Sequence, residues 1–593
     1  MSETAAIRLG GAGALAATGT KGKTALPDKK ETEDPVDPAA MQAAAEPHLQ
    51  ETGTAESTVQ QTPPQTDEAA PAVPVPGAGE IELKLLVDAD RLADFNNAPV
   101  IKTNARNKGA RKHFKSIYYD TPKWTLWHNR LSLRVRQTGA RFVQTVKTEA
   151  GEDPLRRGEW EAAVPSMTPD VALAMPFIPD KIRCDLETDR LEQVFVADIR
   201  RHQRMVELPS GTVEVAFDQG TLKAGDRSMP VSEIELELKG GSPSAIYELA
   251  LRLAEHGAVK PSIRSKSARG FDLAADAAPA ARKPRKLNLD PSIPLDDAFA
   301  TILRACFRHL LESMPAAEDG RDPEGVHQLR VSLRRLRSAL DLMRLAGSLG
   351  KLEALRSEAS WLARNLSAAR DWDIFRKGTL PTIAGGCPSI AGFDALGEVA
   401  EERRCSAYQD ARVALADRRC ARFVIELGGW IEARGWRGDV APENLGQLAE
   451  PAINFAGRIL SERHAKALKR GRRFKSLSAE ERHRLRLAIK KLRYAVDFLL
   501  PMYGQRKSTR RFFSKLADLQ EELGSYNDMA TTKSLLAGLN GGTSDGGTSD
   551  GGTAAAAIAG WQAHAMVGVE GRLRNAWSDF AKMKVPWAAE AAA

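Results

Sequence analysis

Between residues 80 and 238 polar and apolar positions alternate, as in Glu80-Ile81-Glu82-Leu83-Lys84-Leu85, Leu131-Ser132-Leu133-Arg134-Val135-Arg136, Val213-Glu214-Val215-Ala216-Phe217-Asp218 and Glu233-Ile234-Glu235-Leu236-Glu237-Leu238. A period of two predicts strands of an antiparallel sheet with one apolar and one polar face. A helical stretch follows over 243–256, and the Ala/Pro/Lys/Arg-rich run 277–286 reads as a linker. Beyond Asp296 the period becomes 3.6, with Leu, Ala and Arg dominating, and predicts an all-helical domain almost to the end of the chain. Residues 1–77 are rich in Ala, Pro, Thr, Gln and Glu, hold no sustained period and read as a disordered tail. The expected division is therefore a tail over 1–77, a sheet domain over 78–275, a linker over 276–289 and a helical domain over 290–590. A low-complexity Gly/Thr/Ser/Asp insertion over 540–556 interrupts the last of these.

The length of 593 residues calls for more than one core, in line with this division. The net charge of +8 says little by itself, but its distribution is uneven. Residues 1–77 hold 5 Lys/Arg against 11 Asp/Glu, whereas residues 451–520 hold 19 against 5. A concentrated basic field attracts polyanions as a class. The five cysteines (Cys184, Cys306, Cys387, Cys405 and Cys420) form no CxxC pair, and their odd number and wide spacing fit a reduced, intracellular setting. No run of 18 apolar residues and no leader-like apolar segment is present, so a cytoplasmic protein with no membrane partner is expected.

The helical half repeats itself. His327-Gln328-Leu329-Arg330 with Arg334 and Arg337 recurs as His483-Arg484-Leu485-Arg486 with Lys490 and Arg493, 156 residues later. At 100° per residue, His327, Arg330, Arg334 and Arg337 fall within about 80° of one another, beside a separate stripe of Leu329, Leu333, Leu336 and Leu340. One basic helix face could be merely solvated. Duplication with residue type and spacing retained, and without the interleaved Glu of ordinary solvated faces, favours a binding surface for repeated phosphates. Pairing the two halves would line that surface with both histidines. These motifs, with Arg370-Asp371-Trp372-Asp373 and Asn527-Asp528, resemble the CHAD family, the conserved-histidine α-helical domains. The resemblance implies polyphosphate binding through His327, Arg330, Arg334, Arg337, His483, Arg486, Lys490 and Arg493, and association with polyphosphate granules.

In the first half the polar faces carry charge of both signs on separate strands: Glu80, Glu82 and Lys84; Arg134 and Arg136; Thr145 and Lys147; Glu214 and Asp218; Glu233, Glu235 and Glu237. If the sheet closes into a barrel with these faces inward, Ile81, Leu83, Leu85, Leu133 and Leu236 pack outward under helices. Such an interior is too costly to be empty and dry, and implies a water-filled tunnel or a bound charged ligand. Cations suit the oxygens of a polyanion, and carboxylates suit a divalent metal.

Glu80-Ile81-Glu82-Leu83-Lys84, Ile117-Tyr118-Tyr119-Asp120-Thr121-Pro122, Leu131-Ser132-Leu133-Arg134-Val135-Arg136, Ala216-Phe217-Asp218-Gln219-Gly220 and Ser265-Lys266-Ser267-Ala268-Arg269-Gly270 resemble the CYTH superfamily of triphosphate tunnel metalloenzymes, most closely its bacterial inorganic triphosphatase branch. The resemblance implies an antiparallel β-barrel or tunnel of α+β class before the all-α duplicated bundle. It also implies Glu80, Glu82 and Lys84 as catalytic, and Lys84, Arg134, Arg136, Lys147, Arg201 and Lys266 as gripping phosphate. Glu80, Glu82, Glu235 and Glu237 would hold Mg2+ or Mn2+, with Glu159, Glu214 and Asp218 as supporting carboxylates. Arg200 and Arg204 compete with Arg201 for its role.

The expected function is metal-dependent hydrolysis of inorganic tripolyphosphate to pyrophosphate and phosphate, with long-chain polyphosphate bound by the helical domain. The alternatives are a granule-associated binding protein with little catalysis, and a hydrolase or cyclase of an organic triphosphate. No RNA-binding motif or series of stacking aromatics accompanies the basic surface, which argues against nucleic acid. His113, His128 and His202 lack partner spacing for a triad or a zinc site, and Trp124, Trp127 and Trp160 read as packing residues.

Overall fold

The computed structural model describes residues 80–148, 155–344, 350–504, 506–540 and 549–587. The tail at 1–77, the stretch 541–548 of the insertion, and the side chains of Glu80, Asn527 and Asp528 lie outside the described residues.

The alternating segments form strands β1 (Glu80–Leu86), β2 (Ala110–Asp120), β3 (Leu131–Thr138), β4 (Arg141–Thr148), β5 (Arg156–Arg157), β6 (Glu159–Val164), β7 (Glu192–Leu208), β8 (Gly211–Ala224), β9 (Arg227–Gly241) and β10 (Lys260–Ser262). Their antiparallel ladder runs β10-β1-β9-β8-β7-β2-β3-β4-β6. The expected barrel does not close as a ladder: among the described residues no pairing joins β6 to β10. Instead β5 leaves the path to pair with β1, and one residue later β6 pairs with β4. The inner face still wraps one space, because Glu82 and Lys84 of β1 and Lys147 and Glu159 of β4 and β6 line the same cavity.

The alternation fixes which face is which. Leu83, Leu85, Val213, Val215, Ile234 and Leu236 form one apolar layer with Ile246, Leu249, Ala250 and Leu253 of helix α1 (Ser244–His256). Leu133 packs with Val146, Ile182 and Leu186. Helix α2 (Lys266–Ala275) begins at Ser265, whose Oγ accepts from the Ala268 amide at 3.0 Å, and lies against β7 at Gly270. A Cβ at Gly270 would stand 2.1 Å from the Phe195 ring, so only glycine allows this approach. Trp127 stacks on Phe271 at 4.5 Å and Trp160 on Phe177 at 4.9 Å, both as packing residues.

After residues 277–290, which hold no helix or strand, the chain is helical. The helices that matter below are α3 (Leu295–Asp319), α4 (Pro323–Arg344), α5 (Gly350–Asn365), α6 (Arg418–Glu432), α7 (Ala452–Gly471) and α8 (Ala479–Leu499). In α4 the stripe Leu329, Leu333, Leu336 and Leu340 is wholly buried, as is its counterpart Leu485, Ile489, Leu492 and Val496 in α8. The sheet and helical parts share one continuous apolar cluster. At their junction Arg418 of α6 donates to the Ala254 and Glu255 carbonyls at the end of α1, at 3.0 and 3.2 Å. Among the described residues no helix is long and apolar enough to cross a membrane.

Candidate functional site

Cross-strand register assembles the charged inner face. Glu82 stands opposite Glu237, and Glu237 opposite Glu214, so three carboxylate residues form a row across β1, β9 and β8. Lys84 stands opposite Glu235, Arg201 opposite Asp218, and Lys147 opposite Glu159. On the other wall Tyr118 and Ser116 of β2 face Arg134 and Arg136 of β3. These elements enclose a cavity of about 360 Å³, lined by Glu82, Lys84, Arg134, Arg136, Lys147, Arg201, Glu235, Glu237 and Lys266 among others. The structure thus brings Glu82, Lys84, Arg134, Arg136, Lys147, Glu159, Arg201, Glu235, Glu237 and Lys266 to one cavity, whereas Glu214 and Asp218 do not line it and the Glu80 side chain lies outside the described residues. Of the three candidate arginines on β7, Arg201 is the one on the cavity wall.

Most of these charges are paired. Arg201 makes two hydrogen bonds of 2.7 Å to Asp218 and a further one to Glu235. Lys266, nearly sequestered from solvent, reaches Asp218 at 2.6 Å, Glu233 at 2.5 Å and Glu235 at 2.9 Å. Lys84 pairs with Glu82 and, at 3.1 Å, with Glu235. Lys147 meets Glu159 at 2.7 Å, and Arg134 meets it at 3.3 Å. Burial alone would raise the Glu235 carboxyl, but Lys266, Lys84 and Arg201 outweigh it and hold the group well below the usual carboxylate range. Asp218 is lowered likewise, with Lys266 and Arg201 overcoming its burial. Burial would also raise the Tyr118 phenol, and the guanidinium groups of Arg134 and Arg136 reverse that.

Arg136 differs. It lies over the Phe114 ring at 4.3 Å and donates weakly to Ser116 at 3.4 Å, and among the described residues no carboxylate pairs with it. Burial, then the nearby Arg134 and Arg201, push it down to about 10, so it is still charged at neutral pH. A desolvated cation with no counter-ion is a site for an anion.

Two carboxylate groups must be distinguished. Asp218, Glu233 and Glu235 bring oxygens within 4.8 Å of one another. However, Asp218 and Glu233 are fully buried, are held by Arg201, Lys266 and Arg269, and do not line the cavity. Glu82, Glu235 and Glu237 do line it, and hard oxygen donors facing an open cavity fit a divalent cation. The sequence placed Glu233 on a charged strand face and Arg269 in a motif without giving either a role, and did not name Glu161 and Arg264. The last two line the cavity, while Glu233 holds Lys266 from behind and Arg269 in turn holds Glu233.

In the helical half His327 is half-buried near Arg370, Arg334 and Arg330; burial first, then these cations, lower its pKa. Arg330 donates to the Ala363 carbonyl at 2.9 Å and to Ser367 at 2.7 Å, tying α4 to the end of α5. Arg334 lies over the ring of Tyr494 on α8 at 5.6 Å, and Arg337 is partly buried near Arg356. On α8, His483 is exposed, Arg486 and Lys490 are half-buried, and Arg493 pairs with Asp497 at 2.5 Å. The two helices run antiparallel, since Arg334 meets Tyr494 while Arg344 shares a cavity with Arg484. His327 and His483 therefore stand at opposite ends of the pair, on the order of 25 Å apart, and do not share one site. That cavity, about 490 Å³ between α4, α7 and α8, is lined by Arg344, Arg463, Lys466, Arg470, Arg484 and Lys491 against Asp341 and Glu462. Sequence reasoning missed it, because α7 lies outside both repeat motifs.

The CYTH domain family matches residues 78–271 and the CHAD domain family residues 301–537. A protein of Haemophilus influenzae described as an inorganic triphosphatase is 31% identical over 159 residues, 26% of this chain and 44% of that protein. An uncharacterized protein of Mycobacterium tuberculosis is 27% identical over 274 residues, 44% of this chain and 51% of that protein. The chain thus spans about half the length of the curated relatives it matches. The crystal structure of the CHAD domain from the plant Ricinus communis is 31% identical and overlaps 51% of this chain and 98% of that one, with a TM-score of 0.44. The chain joins a CYTH domain to a CHAD domain.

Proposed function

We propose that the sheet domain hydrolyses inorganic tripolyphosphate to pyrophosphate and phosphate with the help of Mg2+ or Mn2+, and that the helical domain binds longer polyphosphate, in the cytoplasm and at polyphosphate granules. The observation that carries the first part is Arg136, a half-buried cation with no carboxylate partner among the described residues, on the wall of a cavity that also presents Glu82, Glu235 and Glu237. The triphosphatase description of the Haemophilus influenzae relative supports the same reading.

In this reading Arg136 and Arg134 take phosphate oxygens from β3, with Lys147 beside them on β4, while Lys84 and Arg201 take them from the other wall. Each of those last three gives up part of its hold on Glu82, Glu159 or Asp218 when the substrate enters, so the carboxylates preorganise the cations in its absence. Glu82, Glu237 and Glu235 would hold the metal, which would supply charge neutralisation at the phosphoryl group and a lowered pKa for the attacking water. Lys266 keeps Glu235 ionised and oriented toward the cavity. The cationic cavity between α4, α7 and α8 supports the polyphosphate part.

The test is phosphate release by the full chain from tripolyphosphate, ATP and thiamine triphosphate, each with Mg2+, Mn2+ or chelator. Metal-dependent release that favours tripolyphosphate is expected. A preference for an organic triphosphate, or release undiminished by chelator, sinks the assignment.

A further inference from the structure

At its exposed end the cavity is walled by chain that belongs to neither the sheet nor the bundle. The connecting segment brings Arg282 and Arg285 onto the wall, on the same cavity as Arg264, and α3 adds Glu312 and Pro315. Two contacts from α3 hold the segment there. His309 donates from Nε2 to the Arg282 carbonyl at 3.0 Å, and Arg285 donates to Glu312 at 3.0 Å. Burial, with Arg335 nearby, pushes the His309 imidazole down to about 4, so it is a neutral donor at neutral pH.

Charge at this end is unbalanced. Arg264 is paired with Asp272 and Arg285 with Glu312, whereas the exposed Arg282 guanidinium has no ion-pair partner among the described residues. Arg282 is also close enough to contribute to lowering the Arg264 pKa, after burial and Arg269 and against the Asp272 carboxylate. Lys84 and Arg134 lie deep while Arg282 is exposed, so a phosphate chain gripped by the inner cations runs outward past Arg282 if it continues.

We propose that Arg282 is a substrate-binding residue supplied by the interdomain segment and positioned by α3, and that it grips the outer phosphates of linear chains longer than tripolyphosphate. The sheet-domain site is then completed by the helical domain, which couples the two halves through one substrate. This rests on the reading of the cavity as a phosphate-chain site.

The experiment compares the full chain with Arg282→Ala, Arg282→Lys and Arg282→Glu in initial rates on tripolyphosphate and tetrapolyphosphate at fixed metal. A charge-assisted contact in a half-open site is worth about a fivefold to tenfold change. The expected result is a fall of that size in kcat/KM for tetrapolyphosphate with Arg282→Ala, clearly larger than the fall for tripolyphosphate and carried by KM. Arg282→Lys should recover most of it and Arg282→Glu should deepen it. Equal effects on both chain lengths, or none, with wild type turning over tripolyphosphate, overturn this inference alone. Failure of the wild type to release phosphate from either chain overturns the functional reading, and this inference with it.

Discussion

Arg201 and Asp218 stand opposite each other on β7 and β8 and share two parallel hydrogen bonds of 2.7 Å, with the Asp218 carboxylate wholly out of solvent. Lys266 closes on the same carboxylate from α2 at 2.6 Å. Asp218 is thus the joint at which a helix is fixed to the floor of the cavity by charge, and both of its cations also reach Glu235.

Replacing Asp218 by Asn leaves two buried cations short of one negative charge. A loss of about 3–5 kcal/mol in stability is expected. The folded pKa values of Asp218 and Glu235 lie below the ordinary 3.8 and 4.5, so their contribution is present above those values and lost as pH falls through the lower, folded ones. Thermal unfolding measured against pH should show a constant gap between wild type and Asp218→Asn above about pH 5, narrowing below about pH 4.

Arg136 should behave in the opposite way. Its folded value of about 10 lies below the unfolded 12.5, so the charge opposes folding at neutral pH, and that cost fades as pH rises through about 10. Arg136→Met is expected to fold at least as stably as wild type at neutral pH, while binding tripolyphosphate about tenfold more weakly. Calorimetric unfolding and equilibrium binding check the two halves of this prediction; loss of both stability and affinity contradicts it.

Much of this arrangement was legible because alternation marks faces. Ile81, Leu83, Leu85, Leu133 and Leu236 pack in the apolar layers, as their period requires. What period two does not contain is register. Glu233 and Glu235 sit on the same strand face, yet Glu233 is opposite Asp218 and sealed by Lys266 and Arg269, while Glu235 is opposite Lys84 and reaches the cavity. The offset of the two histidine motifs likewise says nothing about the direction in which α4 and α8 pack. Arg282 reaches the cavity only because His309 and Glu312 of a different domain hold its segment.

The cationic cavity between the helices yields its own test. Lys466 and Arg470 are exposed on α7, so replacing both by Ala should leave folding intact. Binding of long polyphosphate is expected to weaken about tenfold at low salt, with the difference shrinking as ionic strength rises. Titration at two salt concentrations measures this, and unchanged affinity would move the polymer site elsewhere on the domain.

The most direct test of the account is phosphate release from tripolyphosphate by the Glu82→Gln, Glu237→Gln double variant, measured beside its binding of long polyphosphate. These two carboxylates are assigned to the metal together with Glu235, so release should fall on the order of 100-fold or more while polymer binding persists. Release at the wild-type rate would contradict the account, because the chemistry would then not depend on the carboxylates that face the cavity.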